Sequence, residues 1–308
     1  MRIMFMGTPE IAVCCLNSLI EKHSVVCVVT QTDKPKGRGQ KMAFPPVKDL
    51  ALSLNIDVYQ PQSLKDGAFL EVLEKYKPDV IVVVAYGKIL PKYVIDYPKY
   101  GCINVHASLL PKYRGAAPIQ WVIVNGEKVS GVTTMQMDVG LDTGDMLLNA
   151  EVEITDTMTA GELHDKFCEI SPDVLLRTLD GLEKGELTPQ KQDDNLSSYA
   201  SLLTKDSCRI NWNETPQNIV NLIRGMNPFP TAHTRYKDKS LKIYSAKIST
   251  GTGENGEIIG TNNGLTVACR GGAITVTELQ LEGKKRMQAT EFLRGYSPQI
   301  GTILGENL

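Results

Sequence analysis

Asn104 and His106 stand two residues apart in Cys102-Ile-Asn-Val-His106, a run of strand formers. Side chains alternate along a strand, so the two project from one face. The run gives way to Ser108-Leu-Leu-Pro111 and Arg114-Gly-Ala-Ala-Pro118, which is loop composition. Asn104 and His106 are therefore expected just before the carboxyl end of a strand, where open α/β sheets bind ligands. Downstream, Asp138-Val-Gly-Leu-Asp142-Thr-Gly144 supplies a carboxylate in a glycine-rich loop. An amide can hold a developing oxyanion, an imidazole can move a proton, and a carboxylate can orient or charge the imidazole. Together these are sufficient for acyl transfer. The bland readings are a structural histidine and an Asp142 that only stabilises its turn.

The surrounding pattern supplies the frame. Residues 2–6 read as an apolar strand and 11–20 as a helix, with Thr8 as N-cap and Pro9 at the first helical position. Residues 24–30 form the next strand, a Rossmann-like βαβ opening, but Gly-x-Gly-x-x-Gly is absent and a dinucleotide site is not expected. Gly7-Thr8-Pro9 is either a tight turn or a ligand contact. Helices are expected over 45–55 and 64–76, with a brief strand at 58–61. Val80-Ile-Val-Val-Val-Ala85 reads as a strand buried on both faces. It leads into Tyr86-Gly-Lys-Ile-Leu90-Pro, a second natural ligand wall. Further elements are a helix at 118–125, strands at 129–137 and 146–154, and an amphipathic helix at 159–184 opened by a Thr159/Glu162 capping box.

Between 31 and 41 the chain carries Lys34, Lys36, Arg38 and Lys41 among glycines and a proline. This stretch cannot pack a core and is expected as an exposed loop, either a solvated connection or a contact for phosphates. Residues 188–198 are polar. The expected domains are 1–188 and 205–308, joined by a linker at 189–204. The last hundred residues hold a helix at 217–224 and short strands at 231–236, 240–249, 256–259, 265–269 and 274–281, a pattern that suggests a small barrel. From Lys205 onward there are 13 basic and 9 acidic residues, against 20 and 26 before it, a hint of an anionic partner for the tail domain.

The chain has 308 residues, 42% of them hydrophobic, which is enough for a sizeable core, and no apolar run approaches a membrane span. Seven cysteines without a Cys-x-x-Cys pair argue for a reducing compartment. The four histidines, His23, His106, His164 and His233, show no metal-pair spacing, so no zinc site is expected. The sequence opens directly on a strand without a signal or transit peptide, and a cytoplasmic protein is expected.

Asn-x-His-x-Ser-Leu-Leu-Pro-x-Tyr-Arg-Gly followed by Asp-x-Gly-x-Asp-Thr-Gly resembles the signature of the folate-dependent formyltransferases, which move a formyl group from 10-formyltetrahydrofolate to an amine. The resemblance covers nearly the whole chain. Arg209-Ile-Asn-Trp212, Ile223-Arg-Gly-Met-Asn-Pro228 and Glu282-Gly-Lys-Lys-Arg-Met287 have counterparts in the branch acting on methionyl-tRNA. It implies an α/β protein, a Rossmann-like open-sheet formyltransferase domain followed by a smaller OB-like β-barrel domain. It implies Asn104, His106 and Asp142 as catalytic residues, with His106 as base or as hydrogen-bond donor. The folate pocket would be made by backbone of Lys88 and Leu90, by Ser108, Leu109, Leu110 and Pro111, and by Asp138. The basic loop of that branch reaches the acceptor stem, which assigns Lys34, Lys36, Arg38 and Lys41 to tRNA, together with Lys284, Lys285 and Arg286 of the barrel. Arg114 faces the tRNA or anchors its loop.

The implied partners are initiator methionyl-tRNA and the folate formyl donor, with N-formylmethionyl-tRNA for translation initiation as product. No metal and no membrane are implied, and a monomer is expected. A formyltransferase for small amines would need neither basic loop nor barrel, and an RNA-binding protein without catalysis would not need the Asn104, His106 and Asp142 set. Phe229-Pro230-Thr231-Ala232 departs from the family, where Trp and Gly are more usual, and a small packing change is expected there.

Overall fold

The computed structural model describes residues 1–36, 41–65 and 67–305. The chain divides into two compact units, one from 1–118, 129–152 and 164–200, the other from 119–128, 153–163 and Ser201 onward.

The first unit opens with β1 (Arg2–Gly7), α1 (Glu10–Lys22) and β2 (Ser24–Val29). Thr8 does not cap α1. Pro9 holds the N-cap position without a side-chain bond, and the Thr8 hydroxyl instead donates to the Tyr86 carbonyl at 3.4 Å and accepts from Gln31 N at 3.3 Å. Tertiary partners have outcompeted the helix N–H groups that a cap would serve. The described part of the basic stretch is not an irregular loop: β3 (Lys34–Lys36) and β4 (Lys41–Ala43) pair antiparallel. Next come α2 (Pro46–Ser53), β5 (Val58–Tyr59) and α3 (Leu70–Tyr76). The helix expected from 64 starts only at Leu70 because Gly67 takes φ 73 and breaks the run.

Along the chain then follow β6 (Val80–Val84), α4 (Lys92–Ile95), β7 (Cys102–His106), the short β8 (Arg114–Gly115), α5 (Pro118–Val124), β9 (Val129–Gln136), β10 (Met146–Glu153) and α6 (Ala160–Lys184), of which α5 beyond Pro118 and the opening turn of α6 fall in the second unit. Thr159 and Glu162 form the reciprocal cap of α6: Glu162 Oε2 accepts from Thr159 N and Oγ1, and Thr159 Oγ1 accepts from Glu162 N. β11 (Tyr199–Ala200) pairs with β8. The main sheet has seven strands in the order β10-β9-β7-β6-β1-β2-β5. β7, β6, β1, β2 and β5 run parallel and β9 runs against β7. All five residues of β6 and of β7 are buried, as expected where both faces of a parallel sheet are covered. Met4, Met6, Val29, Ile81 and Val83 lie in one core with Leu73 of α3 and Val94 of α4. Each such side chain contributes roughly 1.5–3 kcal/mol of burial.

The second unit has a core of its own. α7 (Pro216–Gly225) starts from a Thr215 cap that accepts from Asn218 N at 3.2 Å, with Pro216 at the first helical position. The strands β12 (Ala232–Tyr236), β13 (Lys239–Ser249), β14 (Ile258–Gly260), β15 (Leu265–Cys269) and β16 (Gly272–Leu281) form an antiparallel sheet in the order β12-β13-β16-β15-β14, and β17 (Met287–Gln288) pairs with β16. Register shifts between Ile243 and Ala246 bend the long β13. Ala232, Thr234 and Tyr236 alternate inward, and α8 (Ala289–Tyr296) closes the sheet with Phe292. The buried Arg224 of α7 donates to the carbonyls of Thr155 and Met158 at 3.1 and 2.9 Å and to Asn221 Oδ1 at 2.7 Å. Phe229 is 78% exposed, so the departure from the family there falls outside the core, while Thr231 is buried with φ 80.

A polar network ties the base of the β3–β4 hairpin to the first unit. Lys48 Nζ donates to both oxygens of Asp33 at 2.9 and 2.8 Å and to Gln60 Oε1 at 2.8 Å. Gln60 Nε2 returns to Asp33 Oδ1 and to the Gln31 carbonyl, and Gln31 Nε2 reaches the Tyr86 carbonyl at 2.9 Å. The Lys48 bond, then the Gln60 bond, holds the Asp33 carboxyl below the usual carboxylate range. A depressed carboxyl stabilises the fold fully above its unfolded pKa of about 4 and loses that contribution as pH falls through its lower folded value. Asp33→Asn is therefore expected to lower the melting temperature at pH 7, with the gap to the unsubstituted protein narrowing progressively below about pH 4 in thermal scans.

Candidate active site

β7 delivers Asn104 and His106 to one face at its carboxyl end. Asn104 lies beside Val83 of β6 and opposite Met135 of β9, and His106 lies opposite Thr133. Both side chains are buried, at 9% and 6% exposure. The loop after β9 brings Asp142 to them. Asn104 Nδ2 donates to Asp142 Oδ1 at 3.4 Å, and Asp142 Oδ2 lies 3.7 Å from His106 Nδ1, within ion-pair range. His106 Nε2 is 2.9 Å from the Tyr113 carbonyl. A carbonyl only accepts, so Nε2 carries a proton and Nδ1 is the ring nitrogen turned to the carboxylate. The amide, the imidazole and the carboxylate thus meet at one point.

The Asp142 carboxylate is not the turn stabiliser of its loop. Asp138 does that work: its Oδ1 accepts from Gly140 N at 2.9 Å and from Thr143 Oγ1 at 2.7 Å. Asp142 Oδ2 instead accepts from Gly115 N at 2.8 Å. Two backbones are bent to build the site. Asp142 takes φ 54 and Tyr113 φ 60, the left-handed region that costs an L-residue about 1–2 kcal/mol. Gly144 is required for closeness, since a Cβ there would lie 1.7 Å from the Gln136 carbonyl oxygen.

The Ser108–Pro111 segment runs on from β7. Ser108 is fully buried, with Oγ donating to the Lys112 carbonyl at 2.7 Å. Leu110 is buried, and Leu109 and Pro111 are half-buried. Leu90 is buried at the end of the 85–91 turn. The Lys88 ammonium folds back onto the carbonyls of Pro61 and Gln62, the latter at 2.9 Å. Arg114, for which two roles were open, anchors its loop: it is 2% exposed, with Nε on Gln192 Oε1 at 3.0 Å and a second nitrogen on Asp194 Oδ1 at 2.9 Å.

Of the basic residues, Lys34 is exposed and donates to Gln31 Oε1 at 3.0 Å. Lys36 and Lys41 lie on the paired strands β3 and β4, and Arg38 lies outside the described residues. In the second unit Lys284 and Lys285 are exposed. Arg286 is held by Glu278 through two hydrogen bonds and stacks on Tyr244 at 4.2 Å. The Glu278 bonds push its pKa up further. Among the described residues, no group of three or more His, Cys, Asp or Glu side chains is arranged to hold a metal. No helix there is long and apolar enough to cross a membrane.

Residues 1–179 match the formyl transferase family model, and 202–297 match the model of the formyl transferase C-terminal domain. The methionyl-tRNA formyltransferase of Clostridium novyi is 53% identical over 308 residues, covering 99% of this chain and 100% of its own length. The chain belongs to the methionyl-tRNA formyltransferase family. The Citrifermentans bemidjiense member is 50% identical, covering 99% of this chain and 97% of its own. More distant solved structures share the fold. The N-formyltransferase of Helicobacter canadensis, solved with folinic acid and dTDP-3-aminofucose, superposes with a TM-score of 0.67 at 20% identity, covering 90% of this chain and 98% of its own. HypX of Aquifex aeolicus with tetrahydrofolic acid has a TM-score of 0.67 at 16% identity, covering 97% of this chain and 48% of its own.

The methionyl-tRNA formyltransferase signature holds more than the Asn104, His106 and Asp142 set. Sequence reasoning did not single out Tyr113 and Gly115, which act through main-chain atoms, although both stand in the quoted motif. It also missed Thr133, which is 1% exposed and whose hydroxyl donates to the Ser108 carbonyl at 2.7 Å and accepts from Leu110 N at 3.2 Å, stapling the Ser108–Pro111 segment to β9. No sequence signal marked it, since β9 also carries Ser130, Thr134 and Gln136. Asp142→Asn keeps the size of the side chain and removes its charge. Its turnover is expected to fall at least about tenfold with little change in melting temperature, because the turn itself rests on Asp138. Initial-rate kinetics and thermal denaturation on the same preparation check both halves.

Proposed function

We propose that this protein transfers the formyl group of 10-formyltetrahydrofolate to the free amino group of initiator methionyl-tRNA, giving N-formylmethionyl-tRNA and tetrahydrofolate in the cytoplasm. The observation that carries the reading is the meeting of Asn104, His106 and Asp142 at the carboxyl end of β7 in a chain of this family. The amine lone pair attacks the formyl carbon, the carbonyl electrons move to oxygen, and collapse expels the folate nitrogen, which takes up a proton as the attacking nitrogen loses one. Asn104 Nδ2 has two N–H groups, and the one not used on Asp142 Oδ1 donates to the developing oxyanion, an interaction worth about 3 kcal/mol in a transition state. His106 serves the proton transfer between the two nitrogens, and Asp142 sits beside the ring nitrogen that gains a proton in that step. The 85–91 turn with Leu90, and the Ser108–Pro111 segment with Leu109 and Leu110, wall the folate, and Asp138 shapes the loop facing it.

The basic hairpin is read as an acceptor-stem contact. Lys34 is exposed and bonds to Gln31, whose amide reaches the Tyr86 turn, so phosphate binding and the folate wall share one support. Lys284 and Lys285 supply further phosphate contacts, while the Arg286 guanidinium first serves the fold through Glu278 and Tyr244. Each neutralised phosphate releases counterions and steepens the salt dependence of binding.

Formyl transfer to methionyl-tRNA and to small amines, assayed side by side, tests the acceptor: transfer to small amines alone would reject it. Asn104→Ala and His106→Ala are each expected to lower kcat by roughly a hundredfold with little change in tRNA affinity, and near-normal turnover would remove that residue from the mechanism. For the basic groups, Lys34→Ala combined with Arg38→Ala is expected to impair both kcat and KM. Lys284→Ala with Lys285→Ala is expected to raise KM for the tRNA, flatten its salt dependence and leave kcat unchanged, because that unit holds none of the three reacting-site residues.

A further inference from the structure

We propose that Gln192 is a positioning residue for formyl transfer, fixing the main chain of the Asp142 loop so that the carboxylate meets Asn104 and His106. The inference rests on the reading of Asp142 as part of the reacting site.

Gln192 lies in the polar stretch before β11, yet it is only 6% exposed. Its Nε2 donates to two carbonyls of the Asp142 loop, that of Asp142 at 2.8 Å and that of Gly144 at 2.7 Å. Its Oε1 accepts from Arg114 Nε at 3.0 Å. The partners dictate the orientation of the amide, since a guanidinium only donates and a carbonyl only accepts. Both N–H groups and an oxygen lone pair are thus satisfied in a buried place, where an unmet polar group is costly.

The two carbonyls flank Thr143. Holding both fixes the peptide planes that follow Asp142 and so the direction of its Cα–Cβ bond, at a residue already strained at φ 54. Local propensity does not keep such a backbone; the surroundings must. Gln192 also joins this loop to the one after β7. Arg114 is immobilised by Gln192 and Asp194, and the neighbouring Gly115 N–H donates to the Asp142 carboxylate at 2.8 Å. Asp142 is thereby gripped at its carboxylate by Gly115 and at its main chain by Gln192. Among the described residues, the side-chain hydrogen bonds of Gln192 run to the Asp142 loop and to Arg114, and none runs to Asn104 or His106.

The test separates positioning from simple anchoring of Arg114. Gln192→Glu keeps an oxygen for Arg114 but turns an oxygen toward the two carbonyls where the N–H groups were. Gln192→Met is a second variant of similar size that keeps neither bond. Each is compared with Asp142→Asn and with the corresponding double variant. The expected result is a kcat lowered at least about tenfold in Gln192→Glu, with KM for both substrates within about twofold of normal. Adding Asp142→Asn should then change kcat by no more than about twofold beyond the worse single variant, because both changes disable the same carboxylate.

The proposal is overturned if Gln192→Glu turns over normally while Asp142→Asn is impaired, or if the two losses multiply in full. It also fails if both Gln192 variants lose the folded circular-dichroism spectrum, since Gln192 would then serve the fold. Normal turnover of Asp142→Asn itself would instead strike the underlying reading of the carboxylate, and the positioning role would fall with it.

Discussion

A carboxylate drawn into a protein must collect donors, and the way Asp142 collects them organises the candidate active site. One oxygen takes the Asn104 amide from a central strand, and the other takes the Gly115 N–H from the segment after that strand and faces the His106 ring. These groups come from separate stretches of chain, so the carboxylate serves as the common point to which strand and loops are referenced. The bent backbones at Tyr113 and Asp142 are the cost of that convergence. They persist because hydrogen bonds to fixed elements hold each side of the bend. The seven-stranded sheet supplies the fixed elements, with strand ends that cannot move without disturbing the fully buried β6 and β7.

The legible parts of the molecule were those written in local chemistry. Period-two alternation put Asn104 and His106 on one face, and the run from Val80 read as a strand buried on both sides; both follow from backbone geometry alone. The Thr159/Glu162 signal opened a helix because capping is decided within a few residues. What escaped was decided across the chain. Thr8 has the chemistry of a cap but bonds to Tyr86 and Gln31. The glycine-rich basic stretch reads as loop, yet its two arms satisfy each other as a ribbon. Gln192 stands in a polar stretch without periodicity, and its partners are main-chain carbonyls, which leave no mark on side-chain identity.

Six of the positive charges differ in how they are held. Arg114, Arg224 and Arg286 are engaged by carbonyls, carboxylates or an aromatic face inside their own units, whereas Lys34, Lys284 and Lys285 are exposed. The planar guanidinium fork is suited to several fixed acceptors at once, and the ammonium on its flexible stem to a partner that arrives from solvent. Counting basic residues along the sequence would treat all six alike; their geometry separates the three guanidiniums held inside their own units from the three exposed ammoniums.

The buried guanidinium of Arg224 has a consequence for how the chain matures. Its carbonyl acceptors, Thr155 and Met158, belong to a short stretch of 153–163 that is allotted to the second unit although it precedes residues 164–200 of the first. During synthesis that stretch leaves the ribosome well before α7 exists, and it must remain available until the helix emerges. A fragment that began at Ser201 would carry Arg224 into its core without those acceptors, leaving a desolvated charge short of partners. The carboxy-terminal part of this chain is thus not a detachable cassette, and its autonomy ends at a seam that no single cut in the polypeptide can follow.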